Sequence, residues 1–245
     1  MLTTEQDSQT LTADLTRGMT RARPLDGDRR QMALRLLVAA IATGMFFVLY
    51  RLSGWYRPAV QLDLGILRML ETHGNPALLS AVSVPSLMLS SAVVLLIGAT
   101  RGRAMLGVRA FMILAACNVL GQVLKGFVLG RDAIATDQGN SFPSGHMIAF
   151  GSVALALWIV LPRAVRGAFA VVAFLVLAAA AFELVHYGWH RPSDVLGSLL
   201  LVTAVGAAVG AAGGAASGSR ERGRTPSLRA RRRGIPADDP TAGGR

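Results

Sequence analysis

Charge is scarce in this chain. Only 16% of its 245 residues are charged against 52% hydrophobic, and the mean hydropathy is +0.47. That balance excludes an ordinary soluble domain, which would cover one core with far more charge. Cysteine is nearly absent too. Cys117 is the single one, so an intrachain disulfide is excluded, and its setting inside an apolar run reads as a small buried hydrophobe. No convincing cluster of metal ligands is present, and no cofactor is expected. Repeats at a fixed period are missing, as is the alternation of a membrane barrel. The amino end, 1–30, lacks the short apolar stretch and small-residue cleavage site of a secretory signal, so the first apolar segment is expected to stay as an uncleaved anchor.

What is there is a series of long apolar runs. Six segments, near 34–54, 77–99, 104–124, 145–161, 168–187 and 194–214, approach the about 20 residues that cross a bilayer as helix. The expectation is an all-α polytopic membrane bundle of six transmembrane helices, residues 32–215. A disordered cytoplasmic tail, 1–31, precedes it, and a disordered basic cytoplasmic tail, 216–245, rich in Gly, Arg, Ser and Pro, follows.

The formal net charge of +11 raises the question of nucleic acid, but its distribution points elsewhere. Arg17, Arg21, Arg23, Arg29, Arg30 and Arg35 precede the first segment. Arg101 and Arg103, then Arg163 and Arg166, occupy two short links, and Arg220 to Arg233 follow the last segment. With six spans all of these fall on one side, which is therefore read as cytoplasmic in a cell membrane, the tails lying against anionic lipid. Partners are then the bilayer and a membrane lipid, with no nucleic acid. The links 55–76, 125–144 and 188–193 face outward. Residues 61–73 read as an interfacial amphipathic helix, with Leu62, Leu64, Ile66, Leu67 and Leu70 offset from Asp63, Arg68 and Glu71.

Polar chemistry collects at the second and third outward links. Ser141-Phe142-Pro143-Ser144-Gly145-His146 stands before the fourth segment. Pro143 breaks the preceding structure, Ser144 suits a helix cap, and Gly145 allows close backbone approach. Free amides at a helix start suit a phosphate, with His146 within a turn of it. An ordinary capped helix start with a solvated histidine fits the same residues. His190-Arg191-Pro192-Ser193-Asp194 stands before the sixth segment. Its four-residue spacing lets Asp194 accept the Nδ1 hydrogen of His190 and leaves Nε2 as a nucleophile. A cap plus an Arg191–Asp194 ion pair is the plainer alternative. Lys125 is the only lysine in a chain with 25 Lys and Arg together. With Arg131 it supplies compact positive charge for a phosphate, or else it is a cation snorkelling at a span end.

Together these pieces resemble the type 2 phosphatidic acid phosphatase superfamily, which also contains the vanadium haloperoxidases. Its pattern is KxxxxxxRP, then PSGH, then SRxxxxxHxxxD, on a six-helix core. Pro143 to His146 match the second element, and His190 with Asp194 match the end of the third, over roughly residues 60–212. Lys125 and Arg131 stand one residue closer than the pattern, with Asp132 where its proline would be. Glu183 and Leu184 replace the Ser-Arg pair.

The resemblance implies catalytic roles for His146, His190 and Asp194. His190 attacks phosphorus to form a phosphohistidine, Asp194 orients it, and His146 protonates the leaving oxygen. It implies phosphate binding by Lys125, Arg131, Ser144 and Gly145, without metal. Glu183, an acid in an apolar span, is expected beside the site with His186 and Arg191, paired with Lys125, Arg131 or His186, or solvated at the interface. The implied activity is hydrolysis of a lipid phosphomonoester or pyrophosphate at the outer face. Polyprenyl and glycerolipid substrates both fit, and the outward site favours a polyprenyl carrier by analogy. A phosphotransferase on the same scaffold and a non-catalytic lipid-phosphate binder are the alternatives.

Overall fold

In the computed structural model, which describes residues 24–72, 74, 76–130 and 140–224, the chain is all-helical, with no strand among those residues. Among the described residues seven α-helices follow one another: α1 (Pro24–Trp55), α2 (Arg57–Leu70), α3 (Val84–Thr100), α4 (Ala104–Val123), α5 (Gly145–Val160), α6 (Arg163–His186) and α7 (Pro192–Arg224). A short 3-10 turn, Leu79–Ala81, leads into α3, and a π turn, Leu124–Val128, ends α4.

Among the described residues four stretches are long and apolar enough to cross a membrane: Gly27–Trp55, Ala104–Val128, Arg163–His186 and Pro192–Gly213. Two further apolar helices, Val84–Thr100 and Gly145–Val160, have 17 and 16 residues. Residues 77–83, expected inside the second span, lie outside its helix. Pro85 falls in the first turn of α3, and Ser83 caps it through a reciprocal bond with Ser86, so helix begins only there. Helix also runs past the expected ends of the outer spans, from Pro24 in α1 and to Arg224 in α7. The rest of the two expected tails lies outside the described residues.

The pattern of burial is that of helices turned toward one another with apolar backs outward. On α1, Ala42, Phe46 and Tyr50 are buried at four-residue intervals, while Leu37, Ile41, Met45 and Val48 are exposed. Along α6, Ala180 and Leu184 are buried while Val171, Val172, Phe174 and Leu175 are exposed. A stripe at that spacing is one face of a helix, and the exposed apolar remainder suits lipid.

Helix α4 packs against both α3 and α5. Its link from α3 closes tightly because a Cβ on Gly98 would lie 2.6 Å from the Cα of Gly107, so the two backbones touch where only glycine fits. Arginines tie this end of the bundle together. Arg101 donates to the Val160 carbonyl, and Arg166 donates to Leu161 and Ile159 at 3.0 and 2.7 Å. The opposite helix ends carry Lys125, His146 and His190.

Helix α2 corrects the amphipathic reading in one respect. Asp63 is buried together with Val60 and Leu67, while Leu62 is 66% exposed. The carboxylate turns inward because it has partners there: the Ser193 amide at 2.9 Å and the Ser193 hydroxyl at 2.5 Å.

Candidate active site

The site is assembled from three chain ends that arrive separately. The first is the start of α5. Ser144 caps the helix, its hydroxyl accepting from the Met147 amide at 3.4 Å. Phe142 is fully buried, its ring packed against Phe46 and Tyr50 with centroids 5.1 and 5.5 Å apart. It also lies against Gly197 of α7, where a Cβ would collide with the ring. Phe142, held between α1 and α7, thus anchors the loop from which Gly145 and His146 emerge.

The second end is the π turn after α4. Asn140 accepts from the Phe142 amide at 3.1 Å, while its own amide donates to the Lys125 carbonyl at 3.1 Å and to the Leu129 carbonyl. One side chain therefore joins the turn that carries Lys125 to the loop that carries His146.

The third end is the turn from α6 into α7. Gly188 takes φ +70, a left-handed conformation that suits glycine. The Trp189 and His190 amides then both donate to the Leu184 carbonyl, at 3.1 and 3.0 Å. Asp194, in the first turn of α7, is wholly buried. Its Oδ2 accepts from the Arg191 amide at 3.0 Å and faces His190 Nδ1 at 3.4 Å. A carboxylate facing Nδ1 selects the tautomer with hydrogen there and leaves Nε2 with its lone pair. At that separation the contact is long for a hydrogen bond. Ser198 clamps α5 to α7, its hydroxyl lying 3.0 Å from the Ser144 carbonyl and 2.7 Å from the Asp194 carbonyl.

These ends enclose a cavity of about 410 Å³. Lys125, Gly145, His146 and His190 line it, along with Asn118, Gln122, Asn140 and Trp189. The Trp189 and His146 rings stand 5.6 Å apart. On the α3 side the wall is Val82, Ser83, Val84 and Leu87. Lys125 is the only Lys or Arg among the described lining residues. Two imidazoles, an ammonium and the amides of a helix start thus converge on one space, a set suited to a tetrahedral oxyanion.

The other expected residues stand elsewhere. Ser144 is enclosed, with no exposed surface, so it supports the wall as a cap. Glu183 accepts from the Leu78 and Leu79 amides, at 3.0 and 3.3 Å. It anchors the turn before α3, so among the described residues its hydrogen-bond partners are backbone amides and not Lys125 or His186. His186 donates from Nδ1 to the Leu70 carbonyl at 2.6 Å and stacks on Phe182 at 4.9 Å. It ties α6 to the end of α2. Arg191 is buried beside Asp194, 5% exposed. Leu184 is wholly buried in an apolar cluster with Leu79, Met147 and Val195. Arg131 and Asp132 lie outside the described residues. No group of three or more His, Cys, Asp or Glu among the described residues is placed to hold a metal ion.

Sequence reasoning missed Asp63, Asn118, Gln122, Asn140 and Ser198. For two of them a signal existed: Asn118 and Gln122 are carboxamides inside an apolar segment, seven and three residues before Lys125.

The family model of the PAP2 superfamily matches residues 32–213. The chain belongs to the PAP2 superfamily. Among solved structures it is similar to that of the first transmembrane PAP2 type phosphatidylglycerolphosphate phosphatase, from Bacillus subtilis. The two share 17% identity over 75% of this chain and 96% of that one, with a TM-score of 0.57. At that identity the likeness is one of fold. No curated protein matches the chain. The PAP2 assignment and this fold, with its long apolar helices, support a membrane-embedded lipid phosphatase.

Proposed function

We propose that this PAP2 protein is an integral membrane phosphatase that hydrolyses the phosphomonoester or pyrophosphate of a polyprenyl lipid or glycerolipid through a phosphohistidine. The observation that carries the reading is the cavity in which His190, oriented by Asp194, faces the same space as His146 and Lys125. His190 Nε2 attacks phosphorus, and the ester or anhydride oxygen leaves. His146 delivers a proton to that oxygen and then takes one from the water that cleaves the phosphohistidine. Lys125, Arg131 and the Gly145 amide hold the phosphoryl oxygens, while Ser144 keeps the helix start in place. Asp194 stabilises the positive charge that forms on His190.

The chain crosses the membrane six times in this reading, with α3 and α5 as the two shorter spans and both termini cytoplasmic. Support comes from their apolarity, their packing on α4 and the gathering of Arg101 and Arg166 at the bundle end away from the cavity. By the positive-inside rule that end is cytoplasmic, and the cavity opens at the outer face of the cell membrane.

The commitment of Glu183 to backbone amides and of Leu184 to an apolar cluster favours one alternative, a non-catalytic binder of lipid phosphates. Phosphate release from a panel of lipid phosphates by purified protein separates the two. Wild type is expected to turn over, and His190→Ala and His146→Ala each to lose at least about 100-fold. Wild-type turnover in both variants would sink the proposal. Transfer of phosphate to an added alcohol in place of water would assign a phosphotransferase.

A further inference from the structure

The cavity does not end at the level of the two histidines. It continues from the π turn along α4, where Lys125, then Gln122 and Asn118, line it in succession. Gln122 stands at the helix start that receives the phosphate, since a Cβ on Gly145 would lie 3.4 Å from its Nε2. Asn118 is one helical turn further in, about 6 Å along the axis, beside Leu87 and Ala149. A carboxamide at that depth in an apolar helix is costly unless it has hydrogen-bond partners or a task.

The hydrogen bonds of Asn118 define what it presents. Its Nδ2 donates to the Leu114 carbonyl at 2.8 Å and to Ser152 Oγ at 3.1 Å. Ser152 sends its own proton to the Ala149 carbonyl at 3.1 Å, so toward Asn118 it acts as acceptor. Both amide hydrogens are thereby used. Turning the carboxamide over would set Oδ1 against the Leu114 carbonyl, acceptor facing acceptor. The polar atom left for the cavity is therefore the carboxamide oxygen, which only accepts.

An acceptor there has a definite chemical preference. Ionised phosphate oxygens are acceptors too, so Asn118 repels them and keeps the phosphate at the level of Lys125 and Gly145. A polyprenyl chain offers it nothing, and neither does a glycerol whose hydroxyls are all esterified. A hydroxyl or amine on the carbon after the one bearing the phosphate falls about one turn from the phosphate and donates to it.

We propose that Asn118 is a specificity-determining residue that selects lipid phosphates carrying a free hydroxyl or amine beside the phosphate-bearing carbon. Among glycerolipids, monoacylglycerol phosphates are one class that fits. This rests on the phosphatase reading above and narrows its substrate.

The test compares a monoacylglycerol phosphate with the same lipid carrying hydrogen in place of its free hydroxyl, by phosphate release in mixed micelles. Wild type is expected to favour the hydroxyl lipid in kcat/KM by roughly fivefold to tenfold, the worth of one neutral hydrogen bond. In Asn118→Leu the ratio is expected to fall to about one. The first arm needs no variant, so a misfolded Asn118→Leu leaves it intact. Equal wild-type rates on the two lipids would overturn the assignment and show that water satisfies the oxygen. So would a ratio that survives Asn118→Leu. Turnover of neither lipid, with lipid phosphates that lack such a hydroxyl or amine hydrolysed, would overturn it while sparing the phosphatase reading. Release from no lipid phosphate at all would overturn both.

Discussion

Asp63 holds Ser193 by two hydrogen bonds, one to its backbone amide at 2.9 Å and one to its hydroxyl at 2.5 Å. All of these groups are buried, and the residues lie 130 apart in sequence. The consequence is mechanical. A short helix lying against the bundle caps the helix start that carries Asp194, and Asp194 in turn faces His190.

Removing that cap should therefore act on stability before chemistry. Asp63→Ala leaves the Ser193 amide and hydroxyl buried without their acceptor, at a cost of about 1–3 kcal/mol. Asp63→Asn keeps one acceptor oxygen and should cost less. Thermal unfolding in detergent is expected to order the proteins as wild type, then Asn, then Ala. Equal melting temperatures for all three would show that the cap carries no stability.

Glu183 gives a sharper contrast between anchoring and catalysis. Its carboxylate serves the Leu78 and Leu79 amides, and a carboxamide oxygen can accept from the same amides. Glu183→Gln should therefore keep turnover within about threefold of wild type, while Glu183→Ala loses about 1–2 kcal/mol of stability. A Gln variant with intact folding and turnover reduced 100-fold would give Glu183 a part in the reaction.

Asn140 joins the Lys125 turn to the loop before His146 through three hydrogen bonds. Asn140→Asp is the informative substitution because its shape is nearly unchanged and its polarity reversed. Ionised, it would set a carboxylate oxygen against the Lys125 and Leu129 carbonyls, all acceptors. Its kcat/KM is expected to fall at least about tenfold and further than that of Asn140→Ala, with weaker competitive inhibition by orthophosphate. An Asp variant as active as wild type would show that the clip does not position Lys125.

The outline of this protein was open to reading from the chain. Long apolar runs, arginines concentrated at the two ends and in alternate links, and the two short histidine motifs each have a local physical cause. The helical cores follow that outline, and His146, His190 and Lys125 line one cavity. The remainder depends on distant partners. Nothing near Asp63 announces Ser193, and the polar neighbours of Glu183 in sequence suggested side-chain ions where the structure uses backbone amides. Every residue carries an amide, so such a partner leaves no mark in composition or spacing. Asn118 and Gln122 were visible as polar residues in an apolar run, but only the packing of α5 beside α4 gives them a cavity to face.

The central claim is that His190 becomes phosphorylated, and rapid acid-free quenching of the protein with radiolabelled lipid phosphate tests it most directly. Wild type should carry a phosphate that is lost in mild acid and retained in alkali, as a phosphohistidine is, and His190→Ala should carry none. An equal amount of the same acid-labile phosphate on His190→Ala would contradict the account.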